Sequence, residues 1–66
     1  MKHEIGGKVV LNLPGHPLHG QTFEVARRNA RHQFVIARAT KRFGEYRKGD
    51  ELRFTGTLLA ALETAS

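Results

Sequence analysis

Lys8-Val9-Val10-Leu11-Asn12-Leu13-Pro14-Gly15-His16-Pro17-Leu18-His19-Gly20-Gln21-Thr22-Phe23-Glu24-Val25 is the stretch on which the fold turns. Val9, Leu11 and Leu13 alternate against Lys8, Val10 and Asn12, the period of two expected of a half-buried strand. Pro14-Gly15, His16-Pro17 and Gly20 then form dense turn chemistry, and proline cannot donate to a ladder, so the strand has to stop there. From Thr22 to Arg28 the alternation resumes, with Phe23 and Val25 on one face and Thr22, Glu24 and Arg28 on the other. Arg27 falls at the end of the apolar face, where its stem would lie along the core while its charge reaches water. Two strands flanking a turn-rich loop make an antiparallel pair the natural starting unit.

Further along, Asn29 to His32 predicts a hairpin turn, because asparagine tolerates left-handed dihedrals. Gln33 to Ala39 is apolar on both faces, as expected of a central strand with Phe34 in the core. Lys41 to Gly49 holds two glycines and five charges and reads as a loop, with a short strand at Phe43 to Tyr46. Asp50 to Thr57 alternates again, Leu52 and Phe54 against Glu51, Arg53 and Thr55. Leu58 to Thr64 has helical composition, and Leu58, Leu59 and Leu62 fall on one stripe. One or two helical turns are marginal alone in water, so the stripe must dock on the core or serve as an interface with a second subunit. Four or five short strands, closely spaced turns and a short C-terminal helix predict an all-β fold: a small, strongly bent antiparallel barrel. Closure is favoured because an open sheet of this size leaves long unpaired edges.

The chain has 66 residues, which predicts a single domain over 1–66. A fold this small buries only about 60% of the surface its unfolded chain exposes. With no cysteine, neither disulfides nor thiolate zinc sites can reinforce it. No apolar run approaches the ~20 residues of a bilayer span, and no signal peptide or amphipathic basic helix is read, so a cytoplasmic location without a membrane partner is expected.

Catalysis finds little support. His16 and His19 are spaced H-x-x-H, with His3 and His32 elsewhere, but imidazole ligation needs three or four converging donors, so no metal or cofactor is expected. Gly15 and Gly20 lack the Lys-Ser/Thr of a phosphate-binding loop, Asp50 and Glu51 point to opposite faces of a strand, and Ser66 is terminal. Neither an enzyme nor a small-molecule substrate is expected.

The charge is more informative. The formal net charge is +5, yet Arg27, Arg28, Arg31, Arg38, Lys41, Arg42, Arg47 and Lys48 crowd into residues 27–48 with Glu45 as the only acid. That segment carries +7 and the rest of the chain sums to −2. Arginine forks suit phosphate oxygens. Phe43 and Tyr46, interleaved in the loop, are candidates for stacking on unpaired bases or, equally, for core positions. RNA or DNA is therefore the expected partner, held through phosphates, with a log–log salt slope of about −5 on duplex DNA if about six are neutralised. The alternative is a protein-interaction module or inhibitor, its basic face on an acidic protein or its Leu58, Leu59 and Leu62 stripe joining a homo-oligomer.

Residues 7–36 also carry a pattern of an alternating strand around Val10, Gly15, Gly20, Val25 and the strand from Phe34 to Ile36. This resembles the KOW motif of small SH3-like barrels in ribosomal proteins and transcription elongation factors. Phe23 stands where that family usually has a further glycine, and His19 occupies its basic position before the second glycine. The resemblance implies an SH3-like barrel and nucleic-acid binding in transcription or translation. His16 to Val25 is in addition similar to a segment of small proteins encoded near transposases, which implies an accessory role for mobile elements.

Overall fold

The computed structural model describes residues 3–65, so Ser66 lies outside the described residues. Five strands and a short helix follow one another as β1 (Lys8–Leu11), β2 (Thr22–Asn29), β3 (Phe34–Ala39), β4 (Glu51–Thr55), α1 (Gly56–Ala60) and β5 (Leu62–Thr64). The strands form one sheet in the order β4-β3-β2-β1-β5, with every neighbouring pair antiparallel. The fold is all-β apart from α1.

The first two strands pair as the alternation predicts, Lys8 opposite Glu24 and Val9 opposite Phe23. β1 ends at Leu11 rather than Leu13, because the next amides bond outside the ladder: Asn12 N–H donates to the Ala61 carbonyl at 2.9 Å and Leu13 N–H to His19 Nδ1 at 3.1 Å. In β2 the register shifts between Val25, opposite Ala37, and Arg27, opposite Ile36, which makes Ala26 a bulge. The extra residue turns Arg27 to the outer face, so it does not snorkel from the core as predicted. Arg28 takes the place opposite buried Val35, and its Nη1 donates to the His3 carbonyl at 2.6 Å. In the turn between β2 and β3, Asn29 Oδ1 accepts the His32 N–H at 2.9 Å, and the left-handed residue is Gln33 (φ 53°) rather than Asn29.

On the inner face large residues meet small ones: Phe23 lies opposite Ala39, Val25 opposite Ala37, and Val35 opposite Phe54, all buried. The Phe23 ring fills the centre, edge-on to Phe54 at 5.0 Å and to Phe43 at 5.9 Å between centroids. Leu18, from the β1–β2 loop, covers one end of this core. Phe34, predicted inside, instead lies on the outer face of β3, two residues from Ile36 and four from Arg38.

The tail departs furthest from expectation. The helix is Gly56–Ala60 rather than Leu58 to Thr64, and Leu62–Thr64 is β5, with Leu62 opposite Leu11 and Thr64 opposite Val9. Gly56, at φ +54°, turns the chain out of β4 into α1. The unpaired edge of β1 then offers ladder partners that outweigh the weak helical preference of so short a segment. Leu62 is 2% exposed in the core, and Leu58 and Leu59 pack against it half-buried. The leucine stripe therefore covers the chain's own core.

Four interstrand spacings of about 4.8 Å would put β4 and β5 about 19 Å apart in a flat sheet. The six residues between them, mostly helical at about 1.5 Å each, reach only about 9 Å. The sheet is therefore coiled, its two edges drawn toward each other with α1 packed against β3 and β4. The overall dimensions are 31 × 23 × 22 Å. Among the described residues β4 and β5 share no ladder, so the sheet stays open. No helix among the described residues is long and apolar enough to cross a membrane.

Candidate nucleic-acid interface

The basic segment at 27–48 is contiguous in sequence, but β3 divides it in space. Arg31 sits in the turn before β3, whereas Lys41, Arg42, Arg47 and Lys48 sit in the loop after it. Six residues of strand, at about 3.4 Å each, separate these poles by roughly 20 Å.

Between the poles, the outer face of the sheet is electrically closed at one end. Lys8 Nζ meets Glu24 Oε2 at 3.0 Å, and Arg38 meets Glu24 Oε1 at 3.5 Å and Glu51 Oε2 at 3.8 Å. Arg27 Nη2 meets the other Glu51 oxygen at 3.3 Å. Cross-strand pairing explains the chain of contacts, since Lys8 faces Glu24, Glu24 faces Arg38, and Arg38 faces Glu51. Arg27 and Arg38, two of the residues expected to grip phosphate, thus already face carboxylates.

Through its hydrogen bond and its charge, Lys8 holds the Glu24 carboxyl below its ordinary value of 4.5, and Arg38 adds to the effect. An acid titration of the Glu24 side chain by NMR is expected to show a midpoint under 4.5 that climbs back toward it in about 1 M salt, where screening shortens to ~3 Å. Because the folded value lies below the unfolded one, the network favours the fold above that pH and loses its contribution as pH falls through the folded value. The same midpoint in Lys8→Gln as in the parent protein would show that the pair does not form in solution.

The loop from 40 to 50 is built differently. Thr40 Oγ1 donates to the Thr22 carbonyl at 3.0 Å, and the Gly49 N–H donates to the Ala39 carbonyl at 2.9 Å, which pins the loop at both ends. Inside it, Phe43 and Tyr46 exchange both backbone hydrogen bonds, at 3.1 and 2.8 Å, around Gly44-Glu45. The Phe43 ring is edge-on to buried Phe23, and Tyr46 leans on Phe43 at 5.3 Å; both rings are half-buried against the core. Asp50 closes the last turn by accepting the Arg47 N–H at 2.9 Å. Lys41, Arg42, Arg47 and Lys48 are all exposed, and among the described residues none of their side-chain nitrogens lies within 4.0 Å of a carboxylate oxygen.

A groove of about 360 Å³ runs beside this loop, lined by His16, Pro17, Leu18, Phe43, Gly44, Glu45 and Tyr46. His16 and His19 have work within their own loop: each Nδ1 accepts a backbone N–H, from Leu18 and Leu13 respectively, at 3.1 Å. Among the described residues no three metal-ligating side chains gather.

Compared with known proteins, the chain matches no family model, no curated protein and no solved structure. Its function is therefore read from its own side chains. Two residues escaped the sequence reading: Arg53, on the outer face of β4, has its guanidinium carbon 4.4 Å from the centroid of the Phe34 ring. The signal for Phe34 lay in its own strand, since counting back by twos from Arg38 passes through Ile36 to Phe34.

Proposed function

We propose that this protein is a nucleic-acid-binding module, a small SH3-like barrel that holds the phosphate backbone with the loop between β3 and β4. The observation that carries this reading is the group of four exposed cations, Lys41, Arg42, Arg47 and Lys48, on a loop pinned to the sheet, whose side chains make no ion pair among the described residues. A rigid mount matters because donors held in place lose less freedom on binding. Tyr46, half-buried beside Phe43, supplies a ring next to the loop cations. The coiled sheet, with α1 packed near its edges, supports the barrel. The resemblance of residues 7–36 to the KOW motif agrees with a role in transcription or translation, and that of His16 to Val25 with one beside mobile elements. Because the leucines pack inward, the loop cations and not the stripe carry the contact.

The ion pairs of Arg27 and Arg38 lower the expected number of phosphate contacts from about six to about four. Fluorescence anisotropy with labelled duplex DNA should then give a log–log salt slope of about −3.6. That corresponds to an affinity loss of roughly 10²-fold between about 50 and 200 mM salt. Absence of binding at low salt, or a slope near zero, would refute the assignment. Specificity for a base sequence is not part of the proposal, since phosphate contacts position a protein without reading sequence.

A further inference from the structure

The outer face holds a second groove, of about 370 Å³, at the end of the sheet away from the cationic loop. Arg27, Arg28, Asn29, Phe34, Ile36 and Arg53 line it, and no acid is among them. Phe34 and Ile36 form an apolar floor on β3, and the Arg53 guanidinium is stacked on the Phe34 ring at 4.4 Å. Among the described residues Arg53 has no carboxylate within 4.0 Å, in contrast to Arg27 and Arg38 on the same face. The face is thus polarised: its carboxylates, Glu24 and Glu51, sit toward the loop end, and its ring and unneutralised guanidinium sit toward the β2–β3 turn.

We infer that this groove is a stacking site for one unpaired base of a single strand. The base lies on the Phe34–Arg53 pair. A flat arginine on an aromatic ring offers a π-surface to a base and N–H donors at its edges. Bases inside a duplex are stacked on one another and cannot enter a recess of this size. The inference rests on the nucleic-acid reading but predicts something that reading does not, a preference for single strands lodged in Phe34 rather than in the loop.

The chain has no tryptophan, so Phe34→Trp would place a single tryptophan reporter in the groove, excited at wavelengths where Tyr46 does not absorb. Its emission is expected to be quenched by single-stranded oligothymidine and unchanged by a duplex of equal length. Phe34→Leu, which keeps bulk but loses the ring, is expected to weaken single-strand binding by roughly 5- to 150-fold, the range for loss of one stacked base. Duplex affinity and the salt slope should stay within about twofold of the parent protein, with circular dichroism confirming the fold. Salt-dependent binding without quenching, or equal losses on single strand and duplex in Phe34→Leu, overturns the stacking site while leaving the loop assignment standing. Failure of the parent protein to bind either strand at low salt overturns both. Should Phe34→Trp not fold, the Phe34→Leu comparison decides alone.

Discussion

Phe23→Ala is expected to cost about 3–5 kcal/mol, enough to bring this domain to the edge of unfolding. A chain of this length has roughly 3–10 kcal/mol of total stability at ~0.05–0.15 kcal/mol per residue. Phe23 is fully buried and lies edge-on to both Phe54 and Phe43, at 5.0 and 5.9 Å. The residues opposite and beside it on β3, Ala39 and Ala37, are too small to fill the hole its ring would leave. The contact with Phe43 extends the effect to the loop, because Phe43 and the Tyr46 bonded to it hold the middle of residues 40–50 against the sheet. Urea denaturation followed by circular dichroism should show little or no folded baseline for Phe23→Ala at 25 °C. A midpoint close to that of the parent protein would mean that the ring is not the keystone of this core.

How much of this could be read from the residues varies from strand to strand. β1, β2 and β4 announce themselves because each alternates polar with apolar residues, and the turn chemistry of Pro14 to Gly20 leaves no other boundary. β3 is legible as a strand for the opposite reason, its apolar run, and within that run only Arg38 marks the side on which Phe34 lies. The bulge at Ala26 was invisible because alanine is compatible with either face, so nothing in the local pattern shows the register slipping. β5 leaves no local signal because its pairing is wholly non-local: Leu62–Thr64 becomes a strand only where the free edge of β1 meets it. The composition of Leu58 to Thr64 does favour helix, but a segment that short follows its tertiary partner rather than its propensity.

For the site, the sequence showed where positive charge is dense but not which charges are already matched. Glu24 precedes Arg38 by fourteen positions and Glu51 follows it by thirteen, and only cross-strand pairing reveals that both acids face that one arginine. The same pairing separates Arg31 from the loop by the length of β3. The +7 segment is thus four groups with different chemistry: Arg27 and Arg38 in a matched network on the sheet, Arg28 bonded to the His3 carbonyl, Arg31 at one turn, and the four cations of the 40–50 loop.

That division sets the other large effect. Replacing Lys41, Arg42, Arg47 and Lys48 together by glutamine should remove most phosphate binding. Counterion release of about 0.9 per contact amounts to roughly eightfold in affinity per cation at about 0.1 M salt, or about 4 × 10³-fold for the four. The log–log slope should collapse toward zero in parallel, a signature that misfolding does not mimic when the far-ultraviolet spectrum is unchanged. The fold should tolerate the change, because these side chains are exposed and the loop is pinned by Thr40, Gly49 and the Asp50 turn, none of which is altered. The control is Arg38→Gln, an exposed arginine of equal charge that faces Glu24 and Glu51. Its loss should leave the slope nearly intact, since no phosphate contact is assigned to it. If Arg38→Gln instead lowers the slope as much as any loop substitution, the ion pairs of the sheet open on binding and the interface extends across the outer face. If the fourfold variant binds as tightly as the parent protein, the loop is not where the backbone is held.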